Sequence, residues 1–150
     1  MLLSRHHLSQ QRRRGDGTLE RSAYLLLSRL SAEGPLSIGQ LSEALGVNDS
    51  TVHRQTSAMV RAGLIERIAD PDGGVARKFQ TTEEGDCRLE HEQTDNIDGL
   101  AVVMREWTPE EVADFARYLA RFNTDIERLD GRPWPRANRV VNSRSPGVSA

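Results

Sequence analysis

The sequence predicts a mainly α-helical fold with one small β-hairpin, an α+β arrangement, and three observations predict it. Two short helical patterns meet at Gly46 between Ser37 and Ala62. The turn-forming run Asp70-Pro71-Asp72-Gly73-Gly74 then separates two strand-like stretches. Two long helical patterns follow, each opened by a threonine cap signal, at Thr82 and Thr108.

Met1 to Gly17 is expected to form an arm or short helix. Leu2, Leu3 and Leu8 precede Gln10-Gln11-Arg12-Arg13-Arg14, and Gly15-Asp16-Gly17 breaks the pattern. The three arginines suit either solvent or the phosphates of flanking DNA. Thr18 is placed to cap a helix running to about Ala32, with Leu19, Ala23, Leu26, Leu27 and Leu30 as its buried face and Tyr24 at the margin. Gly34-Pro35 ends it.

Ser37 is the expected cap of the next helix, in which Ile38, Leu41 and Leu45 fall at helical spacing after Leu36. Gly46 can take the left-handed conformation that closes that helix, with Val47 expected to plug the corner. Asn48 caps a second helix through Ala62, with Val52, Met59 and Val60 as a thin buried stripe and Gly63 as its stop. Its other face carries Ser50, Thr51, His53, Arg54 and Ser57, with Arg61 in the last turn. Short donors and acceptors beside a guanidinium suit the edges of base pairs in a major groove. A polar face is also what any surface helix shows, so the pattern alone does not decide between them.

The hairpin narrows the choice. Ile65 to Ala69 and Arg77 to Thr81 read as strands directly after the second helix, which is the position of a wing. Leu36 to Gly85 resembles the winged helix-turn-helix of the MarR family of bacterial transcriptional regulators. The matching pieces are Leu41-Ser42-Glu43-Ala44-Leu45-Gly46-Val47, Ser50-Thr51-Val52-His53-Arg54, Gly63-Leu64-Ile65-Glu66-Arg67 and Thr82-Glu83-Glu84-Gly85. With the flanking helices, the resemblance extends over about residues 19–129. The order of these pieces is more specific than any one of them.

The wing tip departs from the family pattern, which commonly places Asp-Arg or Arg-Arg there with an arginine entering the minor groove. Here the tip reads Asp72-Gly73-Gly74-Val75, and the nearest cations, Arg77 and Lys78, lie in the returning strand. They suit a phosphate contact or a solvated strand edge.

Behind the wing, Thr82 is placed to cap a helix from Glu83 to about Glu106, with Cys87, Leu89, Leu100, Val103, Met104 and Trp107 as apolar members. The run Glu90-His91-Glu92-Gln93-Thr94-Asp95 interrupts that stripe, as a helix crossing solvent between two lobes would, and Gly99 weakens or bends it. Thr108-Pro109-Glu110-Glu111 is a capping-box start with proline at the first helical position. The helix it opens runs to about Leu129 with Val112, Phe115, Ala116, Leu119, Phe122, Ile126 and Leu129 on one face. That stripe is too apolar to leave in water and predicts an isologous homodimer. From Gly131 an irregular tail begins, in which Trp134 either folds back over a groove or stays free, and Arg136 and Arg139 are minor candidates for phosphate.

The expected organisation is an arm (1–17), a DNA-binding lobe (18–85), a connecting and dimerization region (86–130) and a tail (131–150). A 150-residue chain with 37% apolar residues suits one domain of modest core. The net charge of −2 is unevenly spread: residues 1–35 carry six arginines against three acids, residues 36–81 five cations against five acids, and residues 82–130 five against fourteen. The reading head is thus neutral, and affinity leans on a few placed contacts in a dimer.

One cysteine, Cys87, excludes an intramolecular disulfide framework, and no N-terminal apolar run suggests a signal peptide or membrane span, so a cytoplasmic protein is expected. No phosphate-cradling glycine loop, nucleophile signature or cysteine pair points to an enzyme. Cys87 and His91 stand one turn apart but two ligands do not make a zinc site, and no cofactor is expected. The resemblance implies a near-palindromic duplex operator, a second copy of the chain as partner, and a small aromatic or phenolic effector in the cleft between lobes, with Tyr24, Met104 and Trp107 as candidate lining. The DNA-contacting set is then Asn48, Ser50, Thr51, His53, Arg54, Ser57, Arg61, Arg77 and Lys78, in a repressor more than an activator. The alternative is a winged-helix protein-interaction module that does not read sequence.

Overall fold

The computed structural model describes residues 19–134. Its elements in order are α1 (Arg21–Glu33), β1 (Leu36–Ser37), α2 (Ile38–Leu45), α3 (Asp49–Arg61), β2 (Ile65–Ile68), β3 (Lys78–Thr81), α4 (Glu83–Val103) and α5 (Pro109–Asp130). The Met1 to Gly17 arm, Thr18, Arg136 and Arg139 lie outside the described residues.

Local chemistry sets the helix ends. Ser37 Oγ accepts from Gln40 N at 3.3 Å while Gln40 Oε1 accepts from Ser37 N at 2.9 Å, a reciprocal capping box. Thr108 and Glu111 repeat the arrangement at α5, with Pro109 just inside. Gly46 closes α2 in the left-handed region at φ 67°. At α1 the expectation of a Thr18 cap is corrected: the N-cap is Glu20, and its side chain makes no capping hydrogen bond.

The sheet has three antiparallel strands in the order β1-β3-β2. β2 and β3 form the predicted hairpin, in the register Ile65↔Thr81 to Ile68↔Lys78. Its third strand was not expected: Leu36 and Ser37 pair with Phe79 and Lys78, so the residue before the α2 cap and the cap itself complete the sheet. A two-residue strand has no periodicity of its own to betray it.

One core joins α1, α2, α3 and the sheet. Leu26, Leu27, Leu30, Leu36, Leu41, Val52, Met59, Ile65, Phe79 and Leu89 are buried together, with Ala23, Tyr24, Ile38 and Leu45 packed against them. Two expected core members are outside it, since Val47 and Val60 are both exposed. The place expected for Val60 on the buried face of α3 is filled by Thr56, whose Oγ1 donates to Val52 O at 2.9 Å and so hides its polarity within the helix. On α4, Leu89 is buried but Cys87 is exposed, and Glu92 within the polar run is buried where solvent was expected.

The base of the wing is tied to α4 by the Thr82-Glu83-Glu84-Gly85 run. Thr82 Oγ1 donates to Gly63 O at 2.6 Å and accepts from Gly85 N at 3.1 Å, and Thr82 N donates to Leu64 O at 3.1 Å. The helix thereby starts in direct contact with the turn that ends α3. α5 behaves differently from the rest, burying none of its residues and having only sparse contacts with the other elements. Among the described residues no helix is long and apolar enough to cross a membrane.

Candidate nucleic-acid interface

The turn between α2 and α3 positions the candidate reading helix. Ser42, one turn before the end of α2, accepts from Gly46 N at 2.9 Å and Val47 N at 3.2 Å through its carbonyl, and its hydroxyl donates to Val47 O at 2.5 Å. Hydrogen bonds from Ser42, rather than an inward Val47, fix the corner. Asn48 Oδ1 then accepts from Thr51 N at 2.9 Å and from Ser50 Oγ at 2.9 Å. The Asn48 carboxamide oxygen thus caps α3, as expected, and sets the direction of its first turn.

With Val52, Thr56 and Met59 buried, helical geometry turns Ser50, Arg54, Ser57 and Arg61 onto one outward stripe, three or four residues apart, with His53 beside it. Ser50, His53, Arg54 and Arg61 are exposed, Ser57 is half-buried within the stripe, and Thr51 is half-buried at its flank. Among the described residues neither Arg54 nor Arg61 is engaged in an ion pair. The stripe extends over a helix of thirteen residues, about 20 Å long, which suits a major groove.

The wing is closed by charge. Lys78 Nζ lies 2.7 Å from Asp70 Oδ1 and 3.0 Å from Asp72 Oδ2, while Asp70 Oδ1 also accepts from Asp72 N at 3.1 Å. The hydrogen bond from Lys78 holds the Asp70 carboxyl below its ordinary range, and the bond to Asp70, then that to Asp72, raises the Lys78 ammonium. Of the two cations expected at phosphates, Lys78 is therefore the one already paired with carboxylates of the wing. Arg77, one residue before β3, is exposed, and Arg67 lies over the Phe79 ring at 5.3 Å.

The candidate effector residues do not converge. Tyr24 lines a cavity of about 400 Å³ with Leu25, Ser28, Leu89, Gln93 and Trp134. Met104 and Trp107 are not in that lining, and Trp107 instead meets Phe115 edge-on at 5.5 Å. Trp134 was legible only as a tryptophan between prolines that either folded back or did not. Here it forms one wall.

Helix-turn-helix, wing and outward polar stripe together define a winged-helix protein. The MarR family model matches residues 19–73. The chain is 34% identical over 117 residues to the uncharacterized HTH-type transcriptional regulator YxaD of Bacillus subtilis (strain 168), covering 78% of this chain and 81% of that one. Among solved structures, a MarR family protein from Bacillus stearothermophilus superposes with a TM-score of 0.68 at 24% identity, over 83% of this chain and 90% of that one. The PcaV transcriptional regulator from Streptomyces coelicolor, solved in complex with its natural ligand, superposes at 0.59 with 22% identity, over 80% and 85%. The chain belongs to the MarR family of transcriptional regulators, and it is not an enzyme.

Proposed function

We propose that the protein is a homodimeric, ligand-responsive repressor that reads a near-palindromic duplex operator through α3. The observation that carries this reading is the division of α3 into a core face of Val52, Thr56 and Met59 and an outer face with Ser50, His53 and Arg54 exposed. Ser50, Thr51, His53, Arg54 and Ser57 are assigned to bases or phosphates, Arg61 and Arg77 to phosphates, and Asn48 to aiming the first turn. The exposed apolar stripe of α5 supports the homodimer, which would present two copies of α3 to successive major grooves. The Tyr24 cavity supports an effector of small aromatic size, which acts only through unequal affinity for the DNA-competent and incompetent spacings of the lobes. PcaV, on the same fold, was solved in complex with its natural ligand.

Titration of labelled DNA from immediately upstream of the protein's own gene, against scrambled DNA at one salt concentration, tests the reading. Preferential binding is expected, and Arg54→Ala should weaken it by about 1 to 3 kcal/mol if the guanidinium reads a base, with the dimer intact. Equal affinity for both DNAs would instead favour a protein-interaction module.

A further inference from the structure

Arg29 is a cation that DNA reading does not use, and it is 8% exposed. A buried charge is costly unless its partners are in place. Glu33, one helical turn on, supplies an ion pair from within α1. Its other two partners come from the chain that follows α5: the Pro133 carbonyl accepts from Arg29 Nη1 at 3.0 Å, and the Trp134 ring lies 5.3 Å from the guanidinium carbon. Gly131 makes this return possible by ending α5 in the left-handed region at φ 64°. A third contact lies between the two, where the Arg132 guanidinium sits so close to Gly46 that any Cβ there would collide with it.

These contacts stand out because α5 otherwise barely touches the lobe that carries α3. The segment Gly131–Trp134 reaches both α1 and the turn from which α3 starts. We propose that it is a latch, with Arg29 as the catch, that fastens the end of α5 to the DNA-reading lobe so that the lobe follows the scaffold helix. Arg29 is a positioning residue: it touches no DNA and acts through the orientation of α3. A lobe held this way has a defined spacing to its symmetry mate before any DNA arrives, which reduces the conformational cost of binding.

Two measurements on the full chain test the latch without DNA. The chain has two tryptophans, so in Trp107→Phe the emission reports on Trp134 alone. Shielded emission is expected, and Arg29→Gln should raise the open fraction about ten-fold, seen as a red shift and easier acrylamide quenching. For orientation, spin labels at Ala58→Cys on α3 and Ala120→Cys on the polar side of α5, with Cys87→Ser, give an intrachain distance when labelled chains are diluted with unlabelled ones. Arg29→Gln and Trp134→Ala should each broaden that distribution, and the double variant should broaden it no further. Trp134→Ala leaves the core and Arg29 in place, so it keeps the test open if Arg29→Gln does not fold. Free-tryptophan emission in Trp107→Phe, or distance distributions unmoved by either variant, overturns the latch.

Discussion

Gly85 is required by a close approach, although its backbone is ordinary helix. A Cβ on it would run into the Leu64 carbonyl oxygen, with Leu27 Cδ2 behind. That carbonyl cannot move aside, because Thr82 N already donates to it and the hairpin begins at the next residue. Gly85→Ala is therefore expected to lower stability by about 1 to 3 kcal/mol, read as a lower urea midpoint with an unchanged slope. Gly39, in the first turn of α2, is the control, since a Cβ there meets nothing. Gly39→Ala should raise stability by up to about 1 kcal/mol. If both variants lose stability equally, contact with Leu64 is not what Gly85 avoids. The Thr-Glu-Glu-Gly run thus has a physical content: threonine ties the wing base, and glycine lets the helix touch it.

At the scale of an element, the wing shows what local pattern can and cannot reveal. Ser37, Asn48, Thr82 and Thr108 all cap the helices expected of them, because a cap is decided by residues three apart. The β1 strand, the burial of Thr56 and the capture of Lys78 depend on partners that the neighbouring sequence does not name. Lys78 and Arg77 are adjacent cations in the chain, yet only the fold of the Asp70 turn makes one of them internal. Asp70→Asn should weaken that capture and free the ammonium for phosphate. The expected result is tighter binding to random duplex DNA and a salt dependence steeper by about one unit per protomer, measured as the slope of log K against log salt concentration. An unchanged slope would mean that Lys78 stays internal or faces no phosphate. The wing should also be insensitive to pH across the neutral range. Asp70, lowered in the folded state, supports the turn above the ordinary carboxylate range and loses that support as pH falls through its folded value; Lys78, raised, supports it until pH rises through its own. The Asp72 amide resonance, bonded to Asp70, should be constant from about pH 5 to 9 and shift only in stronger acid or base. Movement near pH 7 would point to a different partner.

For the whole molecule, the decisive asymmetry lies between a lobe with its own core and a scaffold helix without one. Phe115, Leu119, Phe122, Ile126 and Leu129 recur at three and four along α5, and Phe122 is 61% and Leu129 86% exposed within one chain. A stripe of this size on a helix that buries nothing at home calls for a second surface, and in the proposed homodimer the counterpart helix supplies one through a two-fold axis. The reading head makes that partnership matter. Residues 36–81 carry five cations and five acids, so a single lobe has no broad positive field with which to hold DNA. In the proposed dimer, specific affinity comes from two lobes binding as one, where the second contact is intramolecular once the first is made. Phe122→Asp places a charge in the middle of the stripe and touches neither the core nor α3. It is expected to convert the dimer to a folded monomer in sedimentation equilibrium, and to weaken operator binding by at least about 100-fold, while a single half-site is bound as before. A variant that stays dimeric with undiminished operator affinity would remove this face from the assembly, whereas a monomer that still binds the full operator tightly would show that one neutral lobe suffices.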